Sequence, residues 1–226
     1  MNSDAKIDIL CKLTTASVAD VMDGKGVFAS NIKPIGSVSK VVGRAFTASS
    51  PPGDMLTCYW ALNEAPKGSV LVIDGGGYTE AAIWGSLMTY EAKVKELAGV
   101  IINGAVRDTM NIKVLDFPVF AIGSSPRDGT IRGLGELGTK ITCSGACVQP
   151  WDYILGDDDG VVVIPAEHVD QVIGKASEST EMEERIIDDI KKGKSLYKLF
   201  GLDELILRKE REDASIINDL MRDMGI

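Results

Sequence analysis

The chain holds a single histidine, His168, and four cysteines among 226 residues. A Ser/His/Asp triad and a histidine-rich metal cluster are thereby all but excluded. Cys143 and Cys147 stand close together, but no second cysteine or histidine pair completes a zinc site. Four cysteines in this length are no disulfide framework either, and they read as buried free thiols. Positive charge is also scarce: 24 Lys and Arg against 33 Asp and Glu leave a net charge of −9, which excludes a basic nucleic-acid surface. No apolar run approaches the roughly 20 residues of a membrane span. The opening MNSDAKIDILCKL carries no apolar signal core, so a cytoplasmic protein is expected. The run Asp74-Gly75-Gly76-Gly77 lacks the G-x-G-x-x-G spacing and a following Lys-Ser/Thr, which argues against a nucleotide loop. Its glycines suit a sharp turn or a close approach of the backbone, with Asp74 capping that turn.

What is present centres on residues 70–108. Val70–Ile73 and Val100–Ile102 read as buried strands, and Leu87, Tyr90, Val94 and Leu97 between them form a helical stripe. Strand, helix and strand in this length make a βαβ unit with a right-handed crossover. Gly85-Ser86 opens the helix and leaves the N–H groups of Ser86, Leu87 and Met88 as an anion seat. Arg107-Asp108 follows the second strand, at the end where α/β folds place ligands. In an extended strand these two side chains point to opposite faces, so both reach one ligand only if the chain turns there. The carboxylate suits magnesium or manganese, and the guanidinium suits a keto or carboxylate oxygen. A small 2-oxo acid fits such a site.

Elsewhere, residues 4–22 read as helical, with Ile7, Leu10, Leu13, Val18 and Val21 inward and Thr14 or Thr15 capping a second helix. Val38–Ala48 reads as a strand, and Asp54 as the N-cap of a helix over Met55–Asn63. Phe117–Ile122 and Lys140–Val148 are strand-like, and Val161–Ile164 is a buried strand behind the solvated turn Asp157–Asp159. Gly123–Gly138 contains five glycines and is long for a structureless connection, which suggests a functional loop or lid. From Pro165 a helix follows, its stripe Val169, Val172, Ile173 and Ala176 returning at Met182, Ile186, Ile187 and Ile190. His168 reads as a surface residue of its first turn. A catalytic domain over 1–195 and a helical tail over 196–226 are expected, with Leu205, Leu207, Ile216, Ile217 and Leu220 available to a partner.

LTTASVADVMDG, KVVGRAFTA, LVIDGGG, WGSL, GVIINGAVRD, FPVFAIGSSPRDG and GACVQPWDYILGDDDGVVVIP, in that order, resemble the RraA-like family. That family contains the 4-hydroxy-4-methyl-2-oxoglutarate aldolases and the regulators of ribonuclease E activity. The resemblance spans roughly Leu13 to Gly193. It implies an α/β fold of the swivelling β/β/α type, in αββα layers, assembled as homotrimers or hexamers with sites at subunit interfaces. It implies a divalent metal, Mg2+ or Mn2+, and cleavage of 4-hydroxy-4-methyl-2-oxoglutarate into pyruvate and a second 2-oxo acid, or decarboxylation of oxaloacetate. Asp108 is then the direct metal ligand. Arg107 binds the keto oxygen, and the N–H groups across Gly85–Met88 hold the pyruvyl carboxylate. A glutamate of a neighbouring subunit, here Glu181, Glu183 or Glu184 with Glu181 preferred, reaches the metal through water. Two departures stand out: the aldolases carry an acid where this chain has Ser86, and many carry one where it has Asn111. The alternative within the family is a non-catalytic regulator. A methyltransferase reading, attached to some relatives, finds no adenosyl-binding glycine loop.

Overall fold

The computed structural model describes residues 2–223, with side chains to residue 212. Packing divides the chain into two compact units, residues 1–177 and 178–226, ahead of the 195/196 boundary read from the sequence.

In the first unit, α1 (Ser3–Leu10) and α2 (Thr15–Val21) precede β1 (Lys33–Pro34) and β2 (Val41–Ser49). Then come α3 (Leu56–Glu64), β3 (Ser69–Trp84), α4 (Ser86–Val94), β4 (Gly99–Val106), α5 (Thr109–Val114) and β5 (Val119–Ser124). β6 (Glu136–Leu137), β7 (Ile141–Cys143), β8 (Ala146–Val148), β9 (Tyr153–Asp157) and β10 (Gly160–Ile164) complete the strands. The main sheet runs β1-β5-β4-β3-β2-β9-β10, with β6 on β2. Its centre, β5-β4-β3-β2, is parallel, as the buried apolar runs require, and its margins are antiparallel. The sheet is nearly closed into a barrel. Phe28 N–H donates to Val161 O at 3.0 Å, and Lys33 Nζ reaches Asp159 O at 2.6 Å.

Strand alternation sorts the core. Val41, Ala45, Val70, Val72, Ile101, Phe120 and Ile154 point into the barrel, which the β7–β8 hairpin covers. Leu71, Ile73, Val100, Ile102 and Val119 point out, beneath α3 and α4. A third cluster packs α1, α2 and the start of α6 (Val169–Lys191) on β9 and β10. Thr14 caps α2 in a capping box with Ser17, and Asp157 receives the Thr15 N–H (2.7 Å) and hydroxyl (2.6 Å). The inward stripe of the Pro165 helix is therefore as expected over 169–176. In the second unit, Met182, Ile187 and Ile190 are exposed, as are Leu205 and Leu207 on α8 (Leu202–Asp223), which follows α7 (Leu196–Leu199). Ile216, Ile217 and Leu220 have side chains outside the described residues. No described helix is long and apolar enough to cross a membrane.

Three expectations are corrected. α4 rests on the sheet through Met88, Thr89 and Ala92, so the stripe Leu87, Tyr90, Val94 faces outward, with Leu87 83% exposed. Small Ala92 lets the helix sit close to the sheet, and the larger side chains are left on its far side. The three glycines do not end a strand but sit inside β3, whose register against β4 shifts between Asp74 and Tyr78. Gly76 and Gly77 take positive φ there, and Asp74 Oδ1 accepts from Gly76 N–H at 3.1 Å. Of the four thiols, only Cys58 and Cys143 are buried, and burial pushes Cys58 up to about 12.

The glycine-rich segment after β5 is strapped down rather than structureless. Buried Asp54 accepts from Thr130 Oγ1, from Arg132 N–H (2.8 Å) and from Gly133 N–H (3.0 Å), besides capping Leu56 N–H (3.0 Å). Burial raises its pKa, but these bonds outweigh it and hold the carboxyl at about 2 against an ordinary 3.8. A pKa lowered by folding stabilises the protein fully above the unfolded value and loses that contribution as pH falls through about 2. Asp54→Asn is expected to lower the unfolding free energy by about 2 kcal/mol at neutral pH in urea titrations. The gap to the parent should close as pH falls from about 4 to about 2.

Candidate active site

The site begins with the register of two strands. β3 and β4 end together, Trp84 opposite Val106, and Arg107 N–H donates to Trp84 O at 2.9 Å. The residues just beyond, Gly85-Ser86 and Arg107-Asp108, therefore emerge side by side at one edge of the sheet. Buried Trp84 fixes the first turn of α4 through Nε1–H to Thr89 Oγ1, whose hydroxyl donates to Gly85 O, both at 2.9 Å.

The turn that the Arg107-Asp108 pair requires is present. Asp108 adopts a left-handed conformation, φ 59° and ψ 35°, at the start of α5. Such a residue costs about 1–2 kcal/mol, least for Asp, Asn and Gly. Asp108 makes no capping bond to its own helix. Its carboxylate turns instead to the start of α4, where Oδ2 accepts from Ser86 Oγ–H at 3.1 Å and from Ser86 N–H at 3.4 Å. Arg107 Nε lies 3.8 Å from the same oxygen. Gly85 makes room for this meeting: a Cβ there would stand 3.1 Å from Asp108 Oδ2 and 3.3 Å from Arg107 Cγ.

Arg107 and Asp108 line a cleft of about 370 Å³ with Thr109, Ser124, Ser125 and Pro126. Of the three N–H groups expected to seat an anion, Ser86 already faces Asp108. Leu87 and Met88 precede the first helical bond, from Thr89 N–H to Gly85 O at 3.0 Å, and no side chain caps the helix. Asp108 Oδ1 is engaged by neither Ser86 nor Arg107. Among the described residues no group of three or more His, Cys, Asp or Glu could hold a metal. A lone carboxylate suits a magnesium-like ion, which keeps several waters and takes the rest from substrate, and not a structural zinc.

Gly85–Met88, Arg107 and Asp108 are thus brought together. Asn111 has an exposed side chain and donates its backbone N–H to Asp108 O at 2.9 Å. Glu181, Glu183 and Glu184 are exposed on the second unit, where Glu181 pairs with Arg185 at 3.9 Å. One residue escaped the sequence reading. Asp128 Oδ2 lies 2.8 Å from Arg107 Nη1, giving the guanidinium a second carboxylate. Its only signal was membership of the glycine-rich loop, 20 residues beyond Asp108.

The profile of the RraA-like family, described as Aldolase/RraA, matches residues 15–163. A Halalkalibacterium halodurans protein with the working name 4-hydroxy-4-methyl-2-oxoglutarate aldolase is 36% identical over 193 residues, 83% of this chain and 92% of its own. An uncharacterised Pseudomonas syringae protein of known structure superposes with a TM-score of 0.77 at 27% identity, covering 86% of this chain and 96% of that one. The Thermus thermophilus RNA-processing inhibitor RraA gives 0.62 at 28%, covering 67% and 92%.

If the left-handed turn is the constraint at position 108, side-chain shape decides stability there. Asp108→Gly should stay within about 0.5 kcal/mol of the parent in chemical denaturation, and Asp108→Val should lose about 1–2 kcal/mol more. Equal losses in the two variants would assign the cost to the missing carboxylate instead.

Proposed function

The chain belongs to the RraA-like family, and from that premise we propose that it is a divalent-metal-dependent lyase breaking carbon–carbon bonds in small 2-oxo acids. The observation that carries this reading is the convergence of Arg107 and Asp108 on the start of α4. Substrates of the 4-hydroxy-4-methyl-2-oxoglutarate type, or oxaloacetate, match the site's chemistry: one carboxylate beside one keto oxygen.

Asp108 would hold Mg2+ or Mn2+, which when bound supplies Lewis-acid charge to the substrate's keto oxygen. The remaining work falls to the chain. The N–H groups of Leu87 and Met88, at the positive end of α4, hold the pyruvyl carboxylate. Arg107 donates to the keto oxygen, where negative charge accumulates as the pyruvate enolate forms; the departing fragment leaves as carbon dioxide, or as the second 2-oxo acid with its hydroxyl proton lost to solvent. Ser86 orients Asp108 through its hydroxyl. A serine offers no proton at neutral pH, so return of a proton to the enolate carbon depends on solvent, and a slow enzyme follows.

The outward face of α4 and α5 supports a homo-oligomer, trimer or hexamer. Leu87, Tyr90, Val94, Met110 and Val114 are all exposed on two helices that both begin at the site. Burying such a stripe between copies would seal the cleft's rim from water. Tyr90→Glu with Val94→Glu should shift the chain toward monomer in analytical ultracentrifugation.

The activity test is pyruvate release from a panel of 2-oxo acids with added Mg2+ or Mn2+. Chelation and Asp108→Ala should each abolish release, and Ser86→Asp should raise it by roughly tenfold or more. Turnover undiminished by chelation would overturn the mechanism. A regulator reading is favoured by the absence of an acid at positions 86 and 111. It would be supported by partner binding that survives Arg107→Ala and Asp108→Ala, with no turnover on any 2-oxo acid.

A further inference from the structure

We propose that Asp128 is a positioning residue, whose carboxylate fixes the Arg107 guanidinium over the cleft. The inference rests on the lyase reading only in so far as Arg107 acts on a ligand. Exposed ion pairs commonly form by accident of two long side chains and contribute little to stability. Asp128 differs in being short and in having a clamped backbone. Residue 128 bridges Ala82 on β3. Ala82 N–H donates to Arg127 O (2.9 Å), and Gly129 N–H to Ala82 O (3.0 Å). Ser125 N–H donates to Val106 O (2.9 Å) at the end of β4, and Thr130 N–H to Gly53 O (2.9 Å). Gly129 is packed so closely that a Cβ would stand 2.8 Å from the carbonyl oxygens of both Ala82 and Gly53. The carboxylate is thus delivered from a fixed point on the same two strands that carry Ser86 and Arg107.

Arg107 is otherwise loosely held. Its Nε is 3.8 Å from Asp108 Oδ2, beyond hydrogen-bond length, whereas Nη1 is 2.8 Å from Asp128 Oδ2. Asp128 therefore makes the one short ion-pair contact to the guanidinium among the described residues. An ion pair at Nη1 restricts the swing of the planar fork and leaves its other donors for a ligand oxygen. The side chains of Arg107 and Asp128 are 37% and 52% exposed, so the arrangement is open to a ligand. The buried Asp54 strap at Thr130–Gly133 anchors the loop from its far side.

The test uses the full-length protein with Asp128→Ala and Asp128→Asn, both expected to melt close to the parent. Rotation about the Arg107 Nε–Cζ bond, followed through its Nη 15N signals and assigned by their loss in Arg107→Lys, reports the guanidinium in the free protein. Asp128→Ala should speed that rotation several-fold, and Asp128→Asn should largely restore the slower rate. In steady-state pyruvate release, Asp128→Ala should lower kcat by about 10–100-fold with KM changed less than about threefold, and Asp128→Asn should recover most of it. Unchanged Nη rotation in Asp128→Ala, or an Asn variant no better than Ala, overturns the proposal. A parent without turnover sinks the lyase reading instead, and the rotation measurement still decides the role of Asp128.

Discussion

The parallel register of β3 against β4 is the constraint on which the site depends. β3 spans 16 residues and β4 only 8, yet the strands start and finish together because β3 sheds its excess in bulges between Asp74 and Trp84. Positive φ at Gly76 and Gly77 makes that excursion cheap. Without it, Trp84 would not lie opposite Val106, and the starts of α4 and α5 would leave the sheet at different heights. Glycines that resemble a phosphate loop by composition thus serve the site from a distance, by setting where a strand ends.

The parts of this arrangement legible in the sequence are those governed by local rules. Two buried apolar runs flanking a helical stretch identify the βαβ unit. Gly85-Ser86 and Arg107-Asp108 follow from asking what stands at the ends of its strands. The face of α4 was not legible. Leu87, Tyr90 and Val94 make a better stripe than Met88, Thr89 and Ala92, and periodicity alone assigns the better stripe to the core. The structure assigns it outward, because a helix lying on a tightly packed parallel sheet is better served by alanine and threonine. Asp128 was not legible for another reason: its relation to Arg107 is made by loop closure through Asp54, and an acid in a polar loop carries no periodic signal.

Charge around Arg107 and Asp108 has an internal logic. Asp108 sits at the amino end of α4, where exposed N–H groups favour an anion, and it occupies part of the seat that an incoming carboxylate needs. Arg107 stands between Asp108 and Asp128, two acids for one base, so the cleft is net negative before any cation arrives.

Position 86 brings these strands of argument together. A side chain there lies on the first turn of α4 against Asp108, so its charge acts directly on that balance. An acid would deepen the negative well and favour a cation, besides orienting a water that donates a proton. Serine keeps the hydrogen bond to Asp108 and gives up both of those contributions. On the proposed reading, the groups that would bind and polarise a keto acid remain, and those that would finish the reaction are reduced. On that reading a scaffold with this balance would hold a ligand longer than it transforms it, which places catalysis and regulation a single side-chain change apart.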